Sequence, residues 1–213
     1  MNIEELIDTL ARDVAARPRA SAWRTLPWAV AGGALIALLL AVVALHVHPA
    51  LGQEALQPMF WVREGYCALL GVLGCVLLGS LGRPGARPGA ALAGIPAAVL
   101  LMWALALTSL VKSPAAARGA LILGSTAAAC PLLITLLASP IFVALTWALR
   151  GRAPTQLRLT GTALGFAAGA LGALVYTVHC PELAAPFLAV WYLLGMLIPA
   201  AVGGWAGPRL LRW

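Results

Sequence analysis

Two cysteines in this chain stand directly before prolines, and they offer the clearest chemistry in the sequence. Cys130 precedes Pro131, and Cys180 belongs to the run His179-Cys180-Pro181-Glu182. Two thiols at the same depth on different helices can form a disulfide, and such a pair can respond to redox state. The first hypothesis is that Cys130 and Cys180 are sensor thiols, although spacing alone does not show that they touch.

Two other interpretations of these cysteines stay open. Thiolate and imidazole groups together can bind a soft or borderline metal, and the candidate ligands are His46, His48, His179 and Cys180. Because no CxxC pair or zinc-type spacing is present, no cofactor is predicted beyond a metal ion at this cluster. The other alternative is that the cysteines are small apolar side chains without a further role, which is how Cys75 is interpreted.

The composition predicts that these side chains are positioned by helices in a membrane. Of the 213 residues, 62% are hydrophobic and 10% are charged, whereas water-soluble domains carry roughly 25% charged residues. The net charge of +7 does not indicate nucleic-acid binding. The basic residues lie in short clusters between apolar runs, as the anchors of membrane loops do.

Six charge-free runs are each long enough for one helix across the hydrocarbon core, which takes roughly 17–25 residues. The predicted helices lie near 27–47, 64–82, 90–111, 131–149, 159–178 and 186–206. The runs are continuous and rich in Leu and Ala, without the alternation of strands. The predicted fold class is all-α, an integral membrane bundle of six transmembrane helices (27–213) preceded by a cytoplasmic tail (1–26) with a short amphipathic helix.

The run 119–149 allows two arrangements. Either one long kinked helix begins near residue 120, or the span begins at Pro131 after a loop or a short re-entrant segment. The second is favoured, because proline suits the first turn of a helix.

Glycines on two of the spans predict surfaces for close helix packing. Three share one face of the fifth span and three share one face of the last, namely Gly161, Gly165 and Gly169, and Gly195, Gly203 and Gly207. Small residues at this spacing let helix backbones approach each other. We interpret them as ordinary packing within the bundle.

The distribution of basic residues predicts the orientation. With the N-terminus in the cytoplasm, eleven of the fourteen Lys and Arg lie inside, and Arg63, Lys112 and Arg118 lie outside. This positive-inside bias predicts a multi-pass protein of a bacterial inner membrane with both termini cytoplasmic. The outer connections are then near 48–63, 112–130 and 179–185, which places both Cys-Pro pairs on the oxidising side.

The N-terminal tail has the pattern of a helix that binds a partner protein. One face is apolar and carries Ile3, Leu6, Ile7, Leu10 and Val14. The opposite face is mainly acidic and carries Glu4, Glu5, Asp8 and Asp13 together with Arg12. Helices that lie on a membrane surface favour basic residues on their polar face. The tail is therefore predicted to dock its apolar stripe in a groove of another protein rather than on lipid.

Three stretches of the sequence resemble the NrsF-type family of bacterial membrane anti-sigma factors. They are "LRGRAPTQLRLTGTALGFAAGALG", "HCPELAAPFLAVWYLLGM" and the ending "GPRLLRW". The resemblance implies six spans in the inner membrane and negative regulation of an extracytoplasmic-function sigma factor. It further implies that the tail from Glu4 to Val14 holds the sigma factor, and that Cys130 and Cys180 match the extracytoplasmic cysteines of the family.

The leading functional hypothesis is therefore a membrane anti-sigma factor that releases its sigma factor on an extracytoplasmic stress signal. The alternatives are a small transporter or channel for an uncharged or metal solute, and a structural membrane scaffold with inert cysteines. The motifs GxSxG, HExxH, Walker loop and GxGxxG do not occur in the sequence, so no enzyme and no catalytic residue is predicted.

Overall fold

The computed structural model describes residues 3–4, 22–82, 89–150, 152 and 154–212. Within these residues the regular structure is helical, as predicted. Six long helices are present in the described ranges: α1 (Ala22–Leu40, continued by a π-helical turn, Ala41–Leu45), α2 (Pro58–Leu81), α3 (Ala91–Lys112), α4 (Cys130–Leu149), α5 (Leu157–Tyr176) and α6 (Ala185–Leu210). Each is long and apolar enough to cross a membrane.

The starts of the helices follow the prolines. α4 has Pro131 in its first turn, after a separate short helix, Ala115–Leu123, so the two-part reading of 119–149 is confirmed. α2 begins at Pro58 rather than near 64, because Pro58 also occupies the first helical turn. The predicted outer connection 48–63 is therefore too long, and Arg63, expected in a loop, lies inside α2.

α5 lies at the centre of the bundle. It is the most buried of the six helices and packs most extensively on α6, and also on α2 and α4. A β-carbon on Gly161 would collide with the carbonyl oxygen of Gly203, and one on Gly165 with that of Pro199. The predicted glycine packing is confirmed, since the two backbones touch where side chains are absent.

The up-and-down course of the helices gives the bundle two distinct ends. The cysteine end is formed by the termini of the helices at Leu45, Pro58, Cys130, Tyr176 and Ala185. At the opposite end, Arg152 donates a hydrogen bond to the hydroxyl of Thr25.

Most of the predicted partner-binding tail lies outside the described residues. Ile3 and Glu4 are described as helical and exposed. The other candidate residues lie outside the described ranges, namely Glu5, Leu6, Ile7, Asp8, Leu10, Asp13 and Val14. Their binding role stays a prediction.

Candidate functional site at the cysteine end

The cysteine end brings Cys130 and Cys180 together. Cys130 opens α4, Cys180 lies in the loop between α5 and α6, and both side chains are completely buried. The two thiols are free and within hydrogen-bonding reach of each other. Two residues that lie fifty positions apart in the sequence thus form one thiol pair.

The surroundings of the pair favour the charged form of Cys180. The hydrogen bond from the Cys130 thiol lowers the pKa of Cys180 below its ordinary value, and burial opposes this shift. The Tyr192 hydroxyl, the backbone at Glu182 and the charge of Arg63 act in the same direction as Cys130. The thiolate is the reactive form of cysteine, and of the two thiols these surroundings favour ionisation of Cys180.

Aromatic rings close the pair off from its surroundings. Tyr176 ends α5 and Tyr192 lies in a π-helical turn of α6, and their ring centroids are 5.9 Å apart. Phe187 packs edge-on against Tyr192, at 6.4 Å between centroids. All three rings and both cysteine side chains are completely buried, so the thiol pair lies in the interior at this end of the bundle.

A buried arginine holds the loop that carries Cys180. The Arg63 side chain is completely inaccessible to solvent. Its Nη1 donates to the carbonyl oxygens of Cys180 at 2.8 Å and of Glu182 at 3.2 Å, and its Nη2 donates to that of Thr177 at 3.3 Å. One guanidinium therefore serves three carbonyl groups of a single loop.

Two carboxylates balance the buried charge of Arg63. Glu64 Oε1 lies 3.4 Å from Arg63 Nε, and Glu54 Oε2 lies 3.9 Å from Arg63 Nη2. Glu64 also accepts a hydrogen bond of 3.1 Å from the Thr177 hydroxyl, and Glu54 lies 3.1 Å from Nδ1 of His48. A buried cation is tolerated when paired and hydrogen-bonded in this way.

Glu182 ties the loop to the segment that leads into Cys130. Its Oε1 accepts hydrogen bonds of 2.7 Å from the backbone N–H and from the hydroxyl of Ser125. Gly124 adopts a φ of 53°, and a β-carbon there would lie 2.7 Å from the Glu182 carboxylate. Trp191 of α6 adds a hydrogen bond of 2.8 Å from its indole N–H to the carbonyl oxygen of Ile122. Both cysteine-bearing segments are thus fastened to each other.

The histidines make separate local contacts rather than one cluster. Nδ1 of His179 lies 3.0 Å from the carbonyl oxygen of His46, which has a positive φ of 65°. His48 is paired with Glu54. Among the residues that the structure describes, no three His, Cys, Asp or Glu side chains are grouped as a metal site requires. The structure therefore does not gather His46, His48, His179 and Cys180 as ligands, and the metal ion stays a prediction.

Sequence reasoning missed Arg63 and Glu54 as members of this site. A signal was present in the chain's seven acidic residues. Four of them lie in the tail, and the other three are Glu54, Glu64 and Glu182, all at the cysteine end. Carboxylates are energetically costly in or near the hydrocarbon region unless they are paired. The presence of three of them at the cysteine end, together with Arg63, indicates a buried polar site.

Comparisons with known proteins agree over the whole length of the chain. The family model described as "Negative regulator of sigma F" matches residues 10–213. The "Probable anti-sigma-F factor NrsF" of Azospira oryzae is 45% identical over 215 residues, and the "Anti-sigma-F factor NrsF" of Caulobacter vibrioides is 38% identical over 217 residues, with complete coverage of both chains in each case. No solved structure matches the chain. The chain belongs to the NrsF family of negative regulators of sigma F.

Proposed function

We propose that this chain is an anti-sigma factor of a bacterial inner membrane. Its tail holds a sigma factor of the extracytoplasmic-function type, the counterpart of the sigma F named in its relatives, at the cytoplasmic face. An extracytoplasmic stress that reaches Cys130 and Cys180 releases it. The observation that carries the proposal is the likeness to two anti-sigma-F factors along the entire chain.

The tail supports this proposal by its composition. It places four of the chain's seven acidic residues beside a stripe of apolar residues. A short amphipathic helix of this kind is marginal alone in water and becomes ordered when its apolar face enters a groove of a partner. The acidic face suits a partner surface with basic residues, as sigma factors need to approach DNA.

The thiol pair supplies a chemical step for the signal. The Cys180 thiolate attacks hydrogen peroxide and becomes a sulfenic acid, and the displaced hydroxide takes up the proton that the Cys180 thiol released on ionisation, which gives water. The Cys130 thiol then attacks that sulfur and water leaves, so two thiols and one peroxide give a disulfide and two molecules of water. Pairing of Cys130 with Cys180 in the reduced state supports this step, because the two sulfurs need to travel little.

Release of the sigma factor requires that the oxidised and reduced bundles differ in their affinity for it. Couplings between distant sites are typically about 1–3 kcal/mol, which changes an affinity by roughly 5- to 150-fold. The bundle offers connected elements for such a coupling, since α4 and α6 both begin at the cysteine end and run to the opposite end.

Deletion of residues 1–14 tests the proposal. We expect sigma-dependent transcription to rise in unstressed cells to its fully induced level, because the deletion removes the predicted binding helix and leaves the described bundle intact. A transcriptional reporter measures sigma-dependent transcription, and immunoblots of the membrane fraction measure the amount of the shortened protein. The matched control replaces Asn2 by Ser, which changes a polar residue outside both faces of the tail helix.

Unchanged transcription with the shortened protein still present in the membrane would contradict the proposal. A transporter or channel would not bind a sigma factor through residues 1–14. Co-purification of the sigma factor with the full-length chain, and its loss with the shortened chain, therefore separates the two functions.

A further inference from the structure

We propose that Arg63 is a positioning residue for the thiol pair, because it holds the loop 177–184 where the Cys180 sulfur meets Cys130. The meaning of this role for signalling rests on the function proposed above. The geometry itself, and its effect on disulfide formation, do not depend on a sigma factor.

The first argument is the number of carbonyl groups that Arg63 holds. Its hydrogen bonds reach the backbone before, at and after the reactive residue, at Thr177, Cys180 and Glu182. Cys180 itself is anchored through its own carbonyl oxygen, with the shortest of the three bonds at 2.8 Å. A loop fixed at three points over six residues has little freedom to move its thiol.

The second argument is the way Arg63 is itself held. Glu64 follows it on α2, and Glu54 belongs to a short helix, Leu51–Glu54, between α1 and α2. The ring of Phe60 lies 5.1 Å from the guanidinium carbon. These contacts fix the position of the guanidinium independently of the loop. Arg63 therefore restrains the loop, rather than adjusting its own position to that of the loop.

The third argument is that the same loop reaches the other cysteine. The backbone carbonyl of Glu182 is bound by Arg63, while its carboxylate binds Ser125, five residues before Cys130. One continuous path of hydrogen bonds therefore runs from α2 through the Cys180 loop to the segment that enters α4. Arg63 connects α2 to the rest of these hydrogen bonds.

Lysine cannot replace arginine in this role. An ammonium group keeps the positive charge but lacks the planar fork of five N–H donors with which Arg63 serves several acceptors at once. Arg63→Lys therefore separates charge from geometry. Glu64→Gln gives a second, milder variant, which keeps Arg63 and its three carbonyl bonds but weakens the support of the guanidinium.

The test follows disulfide formation in the purified full-length protein, with hydrogen peroxide as the oxidant and mass spectrometry to quantify the Cys130–Cys180 link. We expect the rate to fall about tenfold or more in Arg63→Lys, since misplacement of reacting atoms by about 1 Å costs factors of this size or larger. A smaller decrease in the same direction is expected in Glu64→Gln. The matched control is Arg118→Lys, whose guanidinium donates, among the described residues, to the exposed carbonyl oxygen of Ser113 at 3.3 Å.

Alkylation of Cys67 distinguishes positioning from a purely structural effect. Cys67 is completely buried in α2, one turn from Arg63. A variant that merely loosens the bundle exposes Cys67 and speeds up reactions of every thiol, whereas loss of positioning slows the disulfide and leaves Cys67 protected. Should Arg63→Lys fail to fold, the rate of disulfide formation and the alkylation of Cys67 in Glu64→Gln distinguish positioning from a structural effect.

Native rates of disulfide formation in the folded variants would overturn the inference. So would a faster reaction accompanied by alkylation of Cys67. Sigma-dependent transcription is measured separately in cells. A slowed disulfide with unaltered peroxide induction supports the role of Arg63 and counts against the thiol signal proposed above.

Discussion

A thiol buried beside a second thiol differs from the same side chain in an apolar helix. Cys130 and Cys180 lie within hydrogen-bonding reach, among tyrosines and next to a fixed guanidinium. Cys75 lies on α2 with part of its surface exposed, and its neighbourhood is apolar. The residue type is the same at all three positions, so the reactivity is set by what surrounds each sulfur.

This contrast gives a prediction for single substitutions. We expect Cys130→Ser and Cys180→Ser to abolish the rise in sigma-dependent transcription after peroxide treatment, because neither variant can form the disulfide that triggers release. Cys75→Ser is the matched control and should respond like the native protein. Dose–response curves of a transcriptional reporter provide the measurement, and superimposable curves for all three variants would reject the thiol pair as the sensor.

At the scale of elements, the contact between α5 and α6 is the centre of the bundle. It depends on the absence of side chains at Gly161, Gly165 and Gly169, where a β-carbon would meet backbone atoms of α6. This contact also sets the relative position of the two helices that flank the Cys180 loop. The packing of these glycines therefore bears directly on the geometry of the thiol pair.

Gly165→Ala tests how much this contact contributes to stability. A β-carbon at Gly165 collides with the carbonyl oxygen of Pro199, so the backbones must separate. We expect a loss of about 1–3 kcal/mol in the free energy of unfolding, as is usual for overpacking. Denaturant titration in detergent micelles measures it. Gly32→Ala in α1 is the control, because no atom of another described segment lies within 4 Å of the added β-carbon. An equal loss in both variants would contradict the interpretation.

The elements themselves were predictable because each is determined locally. Long apolar runs predict the six helices, and Pro131 predicts the start of α4. The start of α2 was predicted too late, since Arg63 was assigned to the outer connection 48–63. A charged residue is accepted inside a helix there only because partners distant in sequence satisfy it, as Thr177 and Cys180 do for Arg63.

At the scale of the whole molecule, the proposal requires that the signal and the sigma factor lie on opposite sides of the membrane. The bundle separates the cysteine end from the end where Thr25 meets Arg152. The distribution of the basic residues predicts that the second end faces the cytoplasm. Orientation is therefore a property on which every other part of the mechanism depends.

Compartment-specific reporters test this orientation. We expect a phosphatase that is active only outside the cytoplasm to work when inserted after Gly119, in the short helix Ala115–Leu123, and to be inactive when fused after Trp213. A fluorescent protein that folds only in the cytoplasm should give the reverse pattern at both positions. The same compartment at both sites would rule out a signal that crosses the bilayer.

The sequence by itself determined the class of the protein, the number and approximate bounds of its spans, and their orientation as a prediction. These properties follow from hydrophobicity and charge, which act along short stretches of chain. Only the tertiary structure decided that Cys130 meets Cys180 and that Arg63 holds the loop of Cys180, 117 positions away. Such contacts depend on how six helices pack, and the glycines, prolines and buried ion pairs that fix this packing act only once distant segments are in place.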